Sequence, residues 1–160
     1  MAIINRGMVG NGTGVGIDAG NVSMVTDCVV QNTRGNGIQG VAGSTIRRNT
    51  LSNIGVDTNP AAIFVSGSGN VIEANTATFS PAYGLRVSSG GDLILHNNMR
   101  NTAGGYSQVA DGNDMGPLQS PPNATSAWAN FGLNSILRRR FERAQVVEPR
   151  GRQVVGPHLE

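Results

Sequence analysis

The sequence predicts an all-β solenoid of about five coils followed by an amphipathic α-helix. A frame of about 21 to 26 residues recurs, short stretches alternate apolar with polar residues, and Gly, Asn and Ser separate the stretches. Recurrence at a fixed period indicates a repeat architecture, and alternation with period two is typical of β-strands. So short a frame leaves no room for a helix in each repeat.

The repeat is clearest in a Gly-Ile column and in an aliphatic column that follows it. Gly16-Ile17 returns as Gly37-Ile38, Ala62-Ile63 and Gly84-Leu85, at spacings of 21, 25 and 22 residues. The second column follows eight or nine residues later and consists of Val25, Ile46, Ile72 and Ile94. These columns predict three short strands per coil, stacked as parallel sheets about 4.8 Å apart.

A column of asparagines stands three residues beyond the second aliphatic column. It contains Asn49, Asn75 and Asn97, with Cys28 at the same position in the first full coil. An asparagine repeated at one bend satisfies backbone groups that the bend would otherwise bury. We therefore expect a structural hydrogen-bonded ladder, in which Cys28 serves as a small buried hydrophobe.

These columns resemble those of the right-handed parallel β-helix proteins, a pectate-lyase-like superfamily that includes polygalacturonases and phage tailspikes. The resemblance covers about residues 2–131. It implies a single-stranded right-handed parallel β-helix, and its members are often secreted or displayed at the cell surface. Outward-facing residues distinguish the families, so the resemblance is specific for fold and not for activity.

The repeat ends in a closing segment that starts at about residue 105. Gly105-Tyr106 stand where another Gly-Ile pair is due. Three prolines predict that no regular strand follows: Pro117, Pro121 and Pro122. The stretch 106–131 resembles the end of bacterial β-helix repeat proteins, and we expect Trp128 and Phe131 to cover the end of the aliphatic core. The solenoid domain is therefore assigned to residues 1–131.

A second region, residues 132–160, differs sharply in composition. Its apolar residues share one helical face: Leu133, Ile136, Leu137, Phe141 and Ala144. They predict an amphipathic helix over about 133–146 and an irregular tail after it. Three roles remain open for the helix: a cap across the open end of the solenoid, an oligomerisation element, or a basic segment for an anionic surface. The cap is favoured, because unpaired terminal strands promote aggregation.

Composition limits the functional classes. All 12 basic residues are arginines, and six of them fall at or after Arg138, so the repeat region is near neutral. We therefore expect the solenoid not to bind nucleic acid. The sequence shows no apolar run near 20 residues and no leading signal segment, so it predicts no membrane segment and assigns no compartment.

Outward residues beside the Gly-Ile column form the first candidate surface. They are Asp18, Gln39, either Phe64 or Ser66, and Arg86. Asp18 and Arg86 are three coils apart, on the order of 14 Å at one strand spacing per coil. The resemblance implies clustered carboxylates in a lyase or hydrolase, and this face departs from that pattern.

Outward charges near the asparagine column form the second candidate surface. Asp27 lies one frame before Arg48, and Arg47 lies one frame before Glu73, so both pairs predict cross-strand ion pairs. His96 takes the column of Asp27 and Arg48 in a later coil. An alternative hypothesis makes Asp27, Arg48, Glu73 and His96 an acid–base strip that faces a saccharide.

The sequence favours a non-catalytic scaffold or repeat module, with no catalytic, cofactor or metal site. The alternative is a polysaccharide-binding or polysaccharide-active β-helix, or a fragment of one, whose glycan-facing residues are Asp18, Arg86, Arg48, Glu73 and His96. The frame begins inside a coil, which suggests a truncated or engineered chain. We expect self-association through an exposed first coil or the terminal helix, and the inserted loop at 56–60 is a further candidate for binding.

Overall fold

The computed structural model is a parallel β-solenoid of about five coils, which confirms the predicted repeat. It describes residues 1–55, 60–81, 83–100, 102, 104–106, 108–120 and 124–132. The predicted helix, with Leu133, Ile136, Leu137 and Phe141, lies outside these residues, as do positions 56–59 of the predicted loop. All regular elements of the described part are β-strands.

Three parallel sheets form the walls of the solenoid. In spatial order, sheet A contains β1 (Ile3–Asn5), β4 (Met24–Thr26), β7 (Thr45–Arg47), β10 (Val71–Glu73), β13 (Leu93–Leu95) and β16 (Asp114–Met115). Sheet B contains β2 (Met8–Gly10), β5 (Val29–Thr33), β8 (Thr50–Ile54), β11 (Thr76–Thr78), β14 (Asn98–Met99), β18 (Asn130–Phe131) and β17 (Leu118–Gln119). Sheet C contains β3 (Ile17–Gly20), β6 (Ile38–Gly40), β9 (Ala61–Val65), β12 (Tyr83–Val87) and β15 (Gln108–Val109).

The Gly-Ile column places one residue in the core and its neighbour where the backbones of adjacent coils approach closely. Ile17, Ile38, Ile63 and Leu85 stand opposite one another in sheet C and are buried in one aliphatic core. At the preceding position a Cβ on Gly37 would lie 2.5 Å from the carbonyl oxygen of Ala62. Glycine is favoured here because it allows this close approach of backbones.

The predicted asparagine ladder is present and runs along the bend between sheets A and B. The backbone N–H of Cys28 donates to Asn49 Oδ1 at 2.9 Å, Asn49 N–H to Asn75 Oδ1 at 3.0 Å, and Asn75 N–H to Asn97 Oδ1 at 3.1 Å. The ladder continues to Asn130, whose Oδ1 accepts from Asn97 N–H at 2.9 Å. Each side chain therefore joins its own coil to the one before it.

A second ladder, which the sequence reading missed, runs along the bend between sheets C and A. Its members are Ser23, Ser44, Asn70, Asp92 and Asn113. Their backbone N–H groups donate to the side-chain oxygen of the following member, at 2.8 to 3.3 Å. Because this column mixes Ser, Asn and Asp, no single residue type reveals it in the sequence.

Both ladders follow a residue in the left-handed backbone region. Before Cys28, Asn49, Asn75 and Asn97 of the first ladder these residues are Asp27, Arg48, Ala74 and His96, with φ between 52° and 57°. Before the second ladder they are Val22, Gly43, Gly69, Gly91 and Gly112. The left-handed residue turns the chain sharply, so that the next side chain points inward and can join the ladder.

The closing coil departs from the prediction in two ways. The chain forms β15, β16 and β17 in order and then returns, so that β18 lies between β14 and β17. Two further strands therefore follow Pro117, contrary to the expectation from the prolines. Pro117 is tolerated because it immediately precedes β17, the outermost strand of sheet B among the described residues.

The aliphatic core is not covered by Trp128, for which the sequence predicted that role. The buried Tyr106, together with Val109, Met115 and Leu118, packs against the core near its C-terminal end. Phe131 is partly buried and pairs with Asn98 in sheet B, whereas Trp128 is 59% exposed. The described residues include no helix of sufficient length and apolarity to span a membrane.

Candidate functional site

The bend between sheets A and B carries the densest group of charged side chains that the sequence singled out. We name this group the corner strip; it consists of Asp27, Arg47, Arg48, Glu73 and His96. Arg47 and Glu73 end strands β7 and β10, and the other three occupy the left-handed bend position. Because the ladder residue that follows points inward, the bend residue projects its side chain outward.

Asp27 and Arg48 form a bidentate ion pair across adjacent coils. Arg48 Nε lies 2.8 Å from Asp27 Oδ1, and a second guanidinium nitrogen lies 2.8 Å from Oδ2. The hydrogen bonds from Arg48 lower the pKa of Asp27, and those to Asp27 raise the pKa of Arg48. The side chains of Arg48 and Asp27 are 51% and 33% exposed, so the pair aligns the coils more than it stabilises them.

Arg47, Glu73 and His96 form a second connected group. Arg47 Nε lies 3.0 Å from Glu73 Oε2, although its N–H is not aligned for a hydrogen bond. His96 Nδ1 lies 3.5 Å from Glu73 Oε1, which is an ion pair when the ring is protonated. Both cross-coil pairs expected from the frame are thus present, and the structure adds His96 to the second.

Trp128 is the member of this surface that sequence reasoning placed elsewhere. His96 Nε2 donates to the carbonyl oxygen of Ala127 at 2.5 Å, and the rings of His96 and Trp128 lie 5.5 Å apart at an angle of 36°. Asn130 fixes the segment, because it occupies the ladder position after Asn97. The sequence signal for this placement was Asn130, two residues after Trp128. It was missed because Asn130 follows Asn97 by 33 residues, which is longer than the repeat.

The outer face of sheet C contains the other predicted candidates. Asp18 stands opposite Gln39, Gln39 opposite Phe64, and Phe64 opposite Arg86. The guanidinium of Arg86 lies 4.7 Å from the ring centre of Phe64, in a cation–π contact. Three strand steps separate Asp18 from Arg86, so the structure does not bring these two predicted residues together.

The two surfaces present charged groups, hydrogen-bonding groups and aromatic faces. In the ranges the structure describes, His, Cys, Asp and Glu side chains form no group of three or more that could hold a metal ion. The corner strip supplies two acid–arginine pairs, one imidazole and an adjoining indole. On sheet C, Gln39 and Phe64 lie between the charged residues Asp18 and Arg86.

Comparison with known proteins gives no match: no family model, no curated protein and no solved structure matches this chain.

Proposed function

We propose that this chain is a non-catalytic β-helix module that serves as a rigid structural scaffold. The observation that supports the proposal is that its polar side chains join coil to coil. Two ladders and the pairs of the corner strip each connect neighbouring turns. Five coils at about 4.8 Å per coil make a stiff spacer of roughly 24 Å.

We further propose that the solenoid is right-handed and shares the architecture of the pectate-lyase-like superfamily. Parallel crossover connections are overwhelmingly right-handed, and the asparagine ladder at one bend supports the resemblance. Region 132–160 would then cap the solenoid or mediate self-association, since the outermost described strands have an unpaired edge. Fold alone does not assign an activity.

The scaffold proposal is tested by assaying the purified chain for lyase and hydrolase turnover on polyuronates and neutral glycans. We expect no turnover above the blank. We also expect Asp18→Ala, Arg86→Ala and His96→Ala to alter stability only slightly, because none of the three residues is buried. A measurable turnover that any one of these substitutions abolishes would refute the proposal.

The second candidate function is polysaccharide binding, with or without catalysis. The observation that favours it is the exposed Trp128, held beside the polar groups of the corner strip. An aromatic face next to hydrogen-bonding side chains is a common basis for ligand recognition. Binding to a glycan panel in the absence of turnover would be compatible with both candidates.

A further inference from the structure

We propose that Trp128, His96, Glu73 and Arg47 form a binding platform for one neutral pyranose unit of a polysaccharide. The inference rests on the second candidate function and identifies its site and ligand class. The four side chains form a continuous chain of contacts: Arg47 to Glu73 at 3.0 Å, Glu73 to His96 at 3.5 Å, and His96 to Trp128 at 5.5 Å between ring centres.

The backbone that carries the indole of Trp128 is held in place, and the ring packs against His96. The backbone N–H of Trp128 donates to Ser126 Oγ at 3.1 Å, and the N–H of Ala129 donates to the Ser126 carbonyl at 3.3 Å. The adjoining Ala127 carbonyl accepts from His96, and Asn130 is buried in the ladder. A segment whose backbone is already ordered loses little conformational entropy on binding.

Trp128 is exposed enough for a ligand to stack on its ring, and it is not part of the core. Its ring packs against His96, yet 59% of the residue is accessible to solvent. The C–H-rich face of a pyranose packs favourably on an aromatic ring, because the ring combines apolar area with a negative π face. An exposed indole beside planar polar groups therefore matches the two-sided chemistry of a sugar.

Polar groups next to the ring supply hydrogen bonds for hydroxyl groups. Arg47 has five N–H donors in a fixed fork, and Glu73 has two acceptor oxygens. The side chains of Arg47 and Glu73 remain 41% and 24% exposed, so a ligand can reach both. Paired charged groups form stronger hydrogen bonds with hydroxyls than neutral groups do.

The charge of the corner strip favours a neutral sugar over a uronate. Arg47 is paired with Glu73 and Arg48 with Asp27, so each guanidinium already has a carboxylate partner. A uronate would have to compete with Glu73 for Arg47. A neutral pyranose can instead bridge the pair without displacing either charge.

The experiment titrates the full chain with neutral β-glucan, xylan and galactan oligosaccharides and with trigalacturonate. Trp128 is the single tryptophan of the chain, so its fluorescence reports on the site directly, and calorimetry measures the affinity independently. We expect at least one neutral oligosaccharide to change the emission and release heat. Trp128→Ala should weaken that binding by about tenfold or more, whereas Phe79→Ala, at an exposed aromatic residue outside both candidate surfaces, should leave it unchanged.

Glu73→Gln provides a test that keeps the indole in place, and we expect it to weaken binding several-fold. The proposal is overturned if no neutral oligosaccharide binds, if only trigalacturonate binds, or if Trp128→Ala and Glu73→Gln both bind like the unaltered chain. Should Trp128→Ala fail to fold, the result for Glu73→Gln decides. Failure of binding leaves the scaffold proposal intact, because that proposal is judged by turnover.

Discussion

Val22 occupies a bend position that glycine holds in the four coils that follow. Its φ is 48°, and the equivalent glycines have φ between 62° and 85°; they are Gly43, Gly69, Gly91 and Gly112. A β-branched side chain is strained in this region, whereas glycine enters it without steric cost. The bend therefore tolerates valine in one coil at some cost in stability.

We predict that Val22→Gly stabilises the chain by about 0.5–1 kcal/mol. Relief of left-handed strain is worth about 1–2 kcal/mol, and the greater freedom of glycine in the unfolded chain offsets part of it. Val22 is largely exposed, so little burial is lost. Urea unfolding gives the free energy, with Val29→Gly in strand β5 as the control that should destabilise. Equal losses in both variants would contradict the strain argument.

Asp92 is the one carboxylate among the described members of the second ladder. Its Oδ1 accepts from the N–H and Nδ2 of Asn70 at 2.8 and 2.9 Å, while Oδ2 is buried without a hydrogen-bond partner among the described residues. In the flanking coils, Asn70 and Asn113 donate from Nδ2 to the carbonyl three residues earlier. Asp92 has a carboxylate oxygen where those asparagines have Nδ2, and this oxygen has no proton to donate to the carbonyl.

We predict that Asp92→Asn stabilises the chain by about 1 kcal/mol, because the new amide can donate to the Ser89 carbonyl. The matched control is Asn70→Asp, which removes three donor bonds, to Gly67, Val41 and Asp92, and should destabilise. Both values come from urea unfolding at neutral pH. If Asp92→Asn is less stable than the unaltered chain, the position favours a carboxylate oxygen over an amide N–H donor, and the argument is wrong.

At the scale of the strand, the sequence predicts the regular coils well and the closing coil poorly. The first four Gly-Ile pairs and the column Asn49, Asn75, Asn97 keep a nearly constant period, so the strands around them could be placed. Asn130 breaks that period, because β15, β16 and β17 intervene before the chain returns to sheet B. The same holds for the candidate site. The ion pairs follow the repeat and could be predicted, whereas the position of Trp128 depends on the return of the chain to sheet B and could not.

The return of the chain requires a glycine at residue 116. A Cβ there would collide with the carbonyl oxygen of Trp128. Gly116 also accepts from Asn130 Nδ2 at 2.9 Å, so it contacts the returning segment twice. Close backbone approach of this kind excludes any side chain.

We predict that Gly116→Ala destabilises the chain by about 2 kcal/mol or more, since it forces β18 away from β17. The emission of the single tryptophan should change, because its contact with His96 depends on the same segment. Gly14→Ala is the control: a Cβ on Gly14 would have no neighbour within 4 Å. If Gly116→Ala matches Gly14→Ala in stability and emission, β18 is not held as described.

At the scale of the whole molecule, stability is built up coil by coil. Each coil contacts mainly its neighbours, so a solenoid opens most easily at its ends. The aliphatic core runs from Ile17 to Met99, and Tyr106 packs on it near the closing coil. The Tyr106 hydroxyl donates to the Asn97 carbonyl at 2.7 Å, which ties this end to the first ladder. Loss of the Tyr106 proton should therefore destabilise the fold.

We predict that the stability of the chain falls as the pH rises above about 10, the ordinary pKa of tyrosine. Burial raises the pKa of Tyr106, so the folded state keeps a proton that the unfolded chain releases. The stabilisation is complete below the unfolded pKa and is lost above it, at up to about 1.4 kcal/mol per pH unit. Urea midpoints measured from neutral pH to pH 11 should show this decline.

Tyr106→Phe separates this titration from all others in the chain. It keeps the ring in the core but removes the hydroxyl, so it should cost about 1 kcal/mol at neutral pH and flatten the alkaline decline. Tyr83→Phe, at a partly exposed tyrosine, should reproduce the slope of the unaltered chain. If Tyr106→Phe keeps that slope too, the alkaline loss arises elsewhere, and Tyr106 does not hold the closing coil through its neutral hydroxyl.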